Sequence, residues 1–172
     1  MKVLVTGGVR SGKSRHAESL LANAPIVTYV APGPTGDSDP DWVARIAAHR
    51  ARRPASWTTL ETLDLTAALG VDGPVLVDCL GTWLAGALDS RELWDASAET
   101  VTETVDALLD DVVATLALRD DVVLVTNEVG LGVVPAHRSG RLFRDLLGLV
   151  NQRVATTCDE VHLVVAGRVL RL

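Results

Sequence analysis

Long hydrophobic runs are missing from this sequence. The longest apolar stretches, such as VVLV at 122–125, have the length of a strand and fall well short of the roughly 20 residues that span a membrane. Met1 and Lys2 lead directly into VLVT, without the basic segment, apolar stretch and cleavage site of a secretory signal. We therefore expect a soluble protein with no membrane span.

Cysteine and lysine are both scarce. Cys79 and Cys158 lie far apart and lack the spacing of metal ligands, which favours a reducing cytoplasm over a disulfide-bonded scaffold. Lys2 and Lys13 are the only lysines among 16 basic residues. Because the chain otherwise uses arginine for positive charge, Lys13 indicates a position that needs a compact ammonium group.

An excess of positive charge is also missing. The formal net charge is -6 and the pI is near 5.1. Proteins that collect nucleic acid do so mainly through basic surfaces that contact phosphates. We therefore expect no nucleic-acid partner.

What is present is a regular alternation of apolar, β-rich runs with helix-like segments. The 172 residues suffice for one domain and are too few for two ordinary ones, so we expect a single domain over residues 1–172. The alternation predicts an α/β fold with a mostly parallel sheet covered by helices on both faces. Predicted strands lie near 2–6, 26–31, 57–61, 74–78, 121–126 and 160–166.

Turn and cap residues separate these strands. Gly167 follows the last of them, and VLRL then predicts an antiparallel edge strand at the C-terminus. The Pro- and Gly-rich segment 32–40 predicts a loop, with Asp39 capping the next helix and Pro40 at its first position. Predicted helices lie near 13–23, 40–52, 97–117 and 138–156.

A phosphate-binding loop follows the first predicted strand. The spacing G-x-x-x-x-G-K-[ST] stands between a strand and a helix, as this motif requires. Its backbone N–H groups and the helix dipole would hold an anion, Lys13 would reach the terminal phosphates, and the Ser14 hydroxyl would bind Mg²⁺. The predicted nucleotide-binding residues here are Gly7, Gly8, Val9, Arg10, Ser11, Gly12, Lys13 and Ser14.

An acidic residue is expected at the end of another strand, where it holds the metal through water. VLVD at 75–78 supplies Asp78, so the predicted metal site is Ser14 with Asp78. The Asn-Lys-x-Asp run with which signalling GTPases read guanine is missing, since TNEV at 126–129 has no Lys at its second position. This weakens the interpretation as a GTPase switch.

A histidine lies between arginines on the predicted helix 40–52. His49 has Arg45 one turn before it and Arg53 one turn after it, so all three share a face. Nearby positive charge keeps an imidazole neutral, and the arginines could hold phosphate oxygens, which together would suit a nucleophile for phosphorus. The alternative is a packed His49 on the inner stripe of an amphipathic helix.

Beyond these local patterns, a series of longer motifs follows in order over nearly the whole chain. They are LVTGGVRSGKSRHAE at the start, YVA at 29–31, RIAAH with RRP and W-T-x-x-E at 45–61, VDCL at 77–80, TNEVGLGVVP at 126–135, and R-x-F-R-D-x-x-G-x-x-N-Q-R-x-A at 141–155. With these motifs the sequence resembles the bifunctional adenosylcobinamide kinase/adenosylcobinamide-phosphate guanylyltransferase family of cobalamin biosynthesis.

The resemblance implies a P-loop, RecA-like fold and two reactions. A nucleoside triphosphate, ATP or GTP, phosphorylates the hydroxyl of adenosylcobinamide; GTP then donates GMP to that phosphate, giving adenosylcobinamide-GDP and pyrophosphate. In such a family the GMP passes through a covalent histidine, which is His49 here, with Lys13 and Asp78 as further catalytic residues.

The resemblance also implies nucleotide contacts at Arg50, Arg53 and Glu61, with a solvated strand end as the alternative for Glu61. Asn127 and Glu128 end a predicted strand on the ligand side of the sheet, where Glu128 would orient the substrate hydroxyl or hold a turn. The resemblance further implies a homotrimer, while the phosphate loop predicts Mg²⁺ as cofactor and the cysteine pattern a cytoplasmic location.

Two departures from the family pattern concern details of binding. Pro32 stands where relatives commonly have Thr, and Gly81-Thr82-Trp83 stands where they place more hydroxyl groups. Two alternative functions remain: a kinase without the second transfer, and a nucleotide-dependent switch or binding module. With aromatic residues at 3% of the chain, stacking on a corrin cannot be widespread, and the candidates are Trp57, Trp83 and Trp94.

Overall fold

The computed structural model describes residues 1–33, 44, 47 and 50–172. Seven strands are present in this part of the chain, and all seven lie within one residue or two of the predicted positions. Their bounds are β1 Lys2–Gly7, β2 Thr28–Ala31, β3 Thr58–Glu61, β4 Val75–Asp78, β5 Val122–Val125, β6 Glu160–Val165 and β7 Arg168–Arg171.

The strands form one sheet in the order β3-β2-β4-β5-β1-β6-β7. All neighbouring pairs are parallel except the last, in which β7 runs antiparallel to β6 with Leu163 opposite Leu170. The predicted α/β class and the antiparallel C-terminal edge strand are both confirmed. Gly167 makes that final turn possible, since its φ of +75° is a conformation that side chains disfavour.

Five α-helices are described, together with a short 3₁₀ helix at Leu93–Asp95. Three correspond to predictions: α1 at 13–20, α4 at 98–117 and α5 at 138–155. The predicted helix 40–52, with Asp39 and Pro40 at its start, falls largely outside the described residues. The bounds are α1 Lys13–Leu20, α2 Leu65–Leu69, α3 Leu80–Asp89, α4 Ala98–Ala117 and α5 Arg138–Ala155.

Helices α2 and α3 correct the sequence-based expectation, which left residues 62–96 without a helix. Helix α2 is one turn long and begins where the Asp64 side chain accepts a hydrogen bond from the Ala67 amide. Helix α3 is so apolar along its length, LGTWLAGALD, that no polar face marks the helical period. Both helices are set by burial against the sheet rather than by a local pattern.

Successive side chains of each strand point to opposite faces of the sheet, and they form one hydrophobic core on each face. Val3 and Val5 of β1 point to the face that α1 covers, and Leu4 points to the opposite face, where helices α2 to α5 pack. Burying both faces explains why the strands are continuously apolar, with β5 having all four residues buried.

The parallel strands all end at the same edge of the sheet. Gly7, Glu61 and Asp78 are the last residues of β1, β3 and β4, and ligands of open α/β sheets bind beyond this carboxyl edge. β5 lies between β1 and β4, so the phosphate loop and Asp78 stand two strands apart. No helix within the described residues is long and apolar enough to cross a membrane.

Candidate active site

The phosphate loop connects β1 to α1 through a backbone that needs its glycines. Gly12 has φ 98° and serves as the N-cap of α1, and Arg10 also has a positive φ of 55°. A Cβ on Gly7 would lie 2.5 Å from the Val164 carbonyl oxygen and 2.7 Å from Ser11 Oγ. The loop therefore closes tightly on β6, with its amides turned to the N-terminal end of α1.

Lys13 lies inside this loop. Its side chain is only 5% exposed, and Nζ donates a hydrogen bond to the Gly8 carbonyl oxygen at 3.1 Å. An ammonium group bent back over the loop adds a positive charge to the anion site formed by the amides. This is the position that the scarcity of lysine indicated.

Two hydroxyl groups complete the loop. Ser14 lies in the first turn of α1 and is half-buried. Ser11 Oγ is buried and makes no hydrogen bond with the described residues. A buried hydroxyl without a partner is costly, and a phosphate oxygen in the loop would supply an acceptor.

Asp78 ends β4 and keeps part of its carboxylate accessible. Its Oδ2 accepts a hydrogen bond from the Tyr29 hydroxyl at 3.2 Å, which links the end of β4 to a residue within β2. Burial, followed by the charge of Asp78, raises the pKa of Tyr29 far above its usual value, so this phenol stays protonated as a donor. Sequence reasoning found Asp78 but not Tyr29, because the contact joins strands that are far apart in the chain.

The arginines after position 49 are directed at the same edge of the sheet. The Arg53 guanidinium carbon lies 3.7 Å from the centre of the Tyr29 ring, and Arg53 Nη1 donates to Thr59 Oγ1 at 3.3 Å. Arg50 Nη2 donates to Glu61 Oε1 at 2.6 Å. Glu61 thus ends β3 as expected, and one of its oxygens is engaged by an arginine.

His49, the predicted nucleophile, lies outside the described residues, as does Arg45. The described part of that stretch is anchored to the phosphate-binding helix: Arg52 donates two hydrogen bonds to the Glu18 carboxylate of α1, at 3.2 and 3.0 Å. These hydrogen bonds are the main cause that raises the pKa of Arg52. This pair joins residues 50–53 to the helix that begins at Lys13.

The loop after β5 lies beside the phosphate loop, because the Glu128 amide donates to the Gly7 carbonyl oxygen at 3.1 Å. The Glu128 carboxylate accepts from the Gly130 amide at 3.0 Å, which is a turn-holding contact. Asn127 accepts a weak hydrogen bond from Cys79 Sγ at 3.5 Å. Residues 131–134 then expose Leu131 and Val133 almost completely.

One cluster, built around His16 and His162, was missed by the sequence reasoning, which assigned no functional role to either histidine. His16 Nε2 on α1 lies 2.9 Å from His162 Nδ1 on β6, and His162 Nε2 lies 2.7 Å from Glu160 Oε2. Arg171 of β7 approaches the same carboxylate at 3.7 Å. No local signal marks this cluster, since its members come from three separate elements.

The three tryptophans that were candidates for stacking on a corrin differ in how deeply they are buried. Trp83 is 2% exposed and Trp57 is 9% exposed, and they belong to opposite cores of the sheet. Trp94 is half-buried within the 3₁₀ helix. Of the three candidates for stacking on a corrin, only Trp94 retains substantial accessible surface.

Fold and site together define a class: a P-loop nucleotide-binding protein with a mostly parallel sheet and its phosphate loop after the first strand. Within that class, residues 3–172 match the family model described as cobinamide kinase / cobinamide phosphate guanyltransferase. The chain belongs to this family, as its sequence motifs indicated.

Named relatives agree over nearly their full length. The chain is 43% identical to the bifunctional adenosylcobalamin biosynthesis protein CobU of Salmonella typhimurium, with 97% of each chain covered. It is 40% identical to the protein CobP of Pseudomonas aeruginosa, which carries the same description, over 97% of this chain and 94% of the relative.

A solved structure extends the comparison to the fold alone. An ATPase from the type III secretion system of pathogenic bacteria superposes with a TM-score of 0.55 at 11% identity. The alignment covers 94% of this chain and 50% of that chain. The P-loop ATPase fold is therefore shared.

Proposed function

We propose that this chain catalyses both reactions of its family on adenosylcobinamide. In the first, the γ-phosphoryl group of ATP or GTP passes to the substrate hydroxyl, whose proton is lost. In the second, GMP from GTP passes to the new phosphate and pyrophosphate leaves. The observation that carries the proposal is the phosphate loop, with buried Lys13 bent over it at 3.1 Å from Gly8 and Asp78 at the same edge of the sheet.

Both reactions place negative charge on phosphate oxygens, and the loop supplies positive potential where that charge develops. The amides of residues 8–13 and the dipole of α1 would hold the β- and γ-phosphates, and Lys13 would neutralise the leaving oxygens. The buried Ser11 hydroxyl, which has no hydrogen-bond partner among the described residues, would donate a hydrogen bond to one of these phosphate oxygens. Arg50, Arg53 and Glu61 would hold the rest of the nucleotide.

We propose Mg²⁺ as the metal cofactor, held by the Ser14 hydroxyl and, through water, by Asp78. The described residues contain no group of three or more His, Cys, Asp or Glu placed for a metal ion. Ser14 and Asp78 together suit magnesium, which typically takes one or two protein oxygens and completes its coordination shell with water and substrate phosphates. When bound, the ion would neutralise charge on the triphosphate.

The guanylyl transfer needs a nucleophile, and we assign that role to His49. An imidazole nitrogen of His49 forms a bond to the α-phosphorus of GTP while the bond to the pyrophosphate oxygen breaks. A phosphate oxygen of adenosylcobinamide phosphate then attacks the same phosphorus, and the P–N bond breaks to restore His49. Splitting one displacement into two allows the same nucleotide site to serve both halves.

The same family membership supports three broader proposals. We propose one nucleotide-binding domain over residues 1–172, assembly as a homotrimer, and a cytoplasmic location. Both cysteines are free thiols, which suits a reducing compartment.

The experiment that tests the proposal is to incubate the protein with Mg²⁺ and GTP labelled at the α-phosphorus, denature it, and measure the label retained. We expect an acid-labile, alkali-stable bond, as a phosphoramidate requires. His49→Ala is expected to abolish the label and the guanylyl transfer while leaving phosphorylation of adenosylcobinamide intact.

The exposed His137 supplies the matched control, because His137→Ala removes a histidine that caps α5 without a side-chain hydrogen bond. It should retain the label. A folded wild-type protein that binds GTP and phosphorylates adenosylcobinamide without retaining label would be a kinase only. A protein that binds GTP and performs neither transfer would be a switch or binding module.

A further inference from the structure

The chain has a single tyrosine, and its phenol reaches the candidate active site. Tyr29 is 4% exposed, and its ring belongs to the core between the sheet and α1. From its position within β2, its hydroxyl reaches the carboxyl end of β4 and donates to Asp78 Oδ2 at 3.2 Å. One side chain thus joins the packed interior to the carboxylate that the proposed metal site uses.

The face of the same ring supports a cation. Arg53 lies over it with 3.7 Å between the guanidinium carbon and the ring centre, a cation–π contact at short range. A hydrogen bond from Arg53 Nη1 to Thr59 Oγ1 helps to hold the guanidinium over the ring. A positive charge above the ring draws electron density from the phenol and makes its O–H a stronger donor to the Asp78 carboxylate.

The phenol holds the Asp78 carboxylate from one side, with 3.2 Å between its hydroxyl oxygen and Asp78 Oδ2. A donated hydrogen bond restricts rotation of the carboxylate, and groups that bind metal through water depend on such orientation by neighbouring residues.

We propose that Tyr29 is a positioning residue for nucleotide transfer, whose hydroxyl orients Asp78 and whose ring orients Arg53. This deepens the proposed function, on which it rests. The two actions are separable: the hydroxyl acts on the part of nucleotide binding that depends on Mg²⁺, and the ring acts on the part that does not.

The test measures the Kd of a non-hydrolysable GTP analogue with Mg²⁺ and again with EDTA, so that the ratio gives the gain in affinity due to magnesium. Tyr29→Phe keeps the ring under Arg53 and removes the hydroxyl. We expect its gain from magnesium to fall by about three- to tenfold, the range of one ordinary hydrogen bond, because the phenol acts on the metal site only through Asp78. The Kd in EDTA should be unchanged.

Two companion variants isolate the route. Thr59→Val removes the hydrogen bond between Arg53 and Thr59 without touching Asp78 and should keep the wild-type gain from magnesium. In an Asp78→Asn background, Tyr29→Phe should cause no further loss, because a residue that acts through another is non-additive with it. Tyr29→Leu removes ring and hydroxyl and should also weaken binding in EDTA.

The outcomes separate this inference from the proposed function. A wild-type protein without any gain from magnesium would overturn the metal part of the proposed function. A wild-type gain that Tyr29→Phe retains in full, or a loss that is equal with and without Asp78, would overturn the inference and leave Tyr29 as a core residue. If Tyr29→Phe weakened binding of the GTP analogue equally in Mg²⁺ and in EDTA, the inference would also be overturned.

Discussion

At Gly7 the backbone has no room for a side chain. A Cβ there would meet the backbone oxygen of Val164 at 2.5 Å, and that oxygen belongs to a central part of the sheet that cannot move cheaply. We expect Gly7→Ala to lower the free energy of unfolding by about 1–3 kcal/mol, the usual cost of overpacking. Urea denaturation of the wild type and of Gly7→Ala measures this difference, provided that the free energy of unfolding depends equally on urea concentration in both proteins.

The adjacent glycine is the matched control. A Cβ on Gly8 meets nothing within 4 Å, so Gly8→Ala should leave the free energy of unfolding nearly unchanged. Equal destabilisation by the two substitutions would contradict the steric explanation, because the loop would then need glycine for its freedom alone.

At this scale the residues of the phosphate loop could be predicted and their supporting contacts could not. Lys13 and Asp78 were identified because a loop motif and a strand end are local patterns. The hydrogen bond from Tyr29 to Asp78 depends on β2 and β4 becoming neighbours, which no spacing in the sequence states. The role of His49 as the nucleophile of guanylyl transfer stays a prediction, because His49 lies outside the described residues.

Among elements, α1 is tied to β6 by the His16–His162–Glu160 cluster. With Glu160 ionised, His162 Nε2–H donates to it, so His162 Nδ1 accepts from His16 Nε2–H. Burial, then the nearby His162 and Arg171, lowers the pKa of His16 below 6.5, and the hydrogen bond from His162 lowers the pKa of Glu160. Protonating His16 therefore opposes the folded arrangement.

The sign of the pH dependence follows from these shifts. Below pH 6.5 the unfolded chain binds a proton at His16 more readily than the folded one, so stability falls as the solution is acidified through this value. Glu160 adds a loss in the same direction below 4.5. We expect His16→Gln to flatten the rise of unfolding free energy between about pH 5 and about pH 7, as measured by urea denaturation at several pH values.

His137→Gln is the comparison for this prediction, because His137 is an exposed histidine at the start of α5. Its pH dependence should match the wild type. An unchanged slope in His16→Gln would show that the cluster does not couple folding to protonation.

The success of sequence reasoning also differed between elements. The strands and the long helices α4 and α5 were predictable, since each carries a full period of burial and ends in a recognisable cap or turn. Helix α2 is too short to show a period, and α3 is apolar on every side, so tertiary burial decided their conformation.

For the whole molecule, the family resemblance predicts three copies of the chain in one assembly. The outer strand β7 has every residue exposed and pairs with β6 on one side only, which leaves its other edge open in a single copy. We expect sedimentation equilibrium to give three times the 18.2 kDa of one chain. A mass of one chain at all protein concentrations would contradict the trimer.

The burial of two tryptophans on opposite faces of the sheet has an optical consequence. Trp57 and Trp83 sit in separate apolar layers, so each indole emits from a dry environment and neither is available for direct contact with a large ligand. Corrinoids absorb in the range where indole emits. A bound corrinoid would therefore lower the emission intensity of Trp57 and Trp83 by energy transfer without changing its wavelength, whereas unfolding would shift that wavelength. In a variant that carries Phe at positions 42 and 94, one emission spectrum distinguishes corrinoid binding from loss of structure.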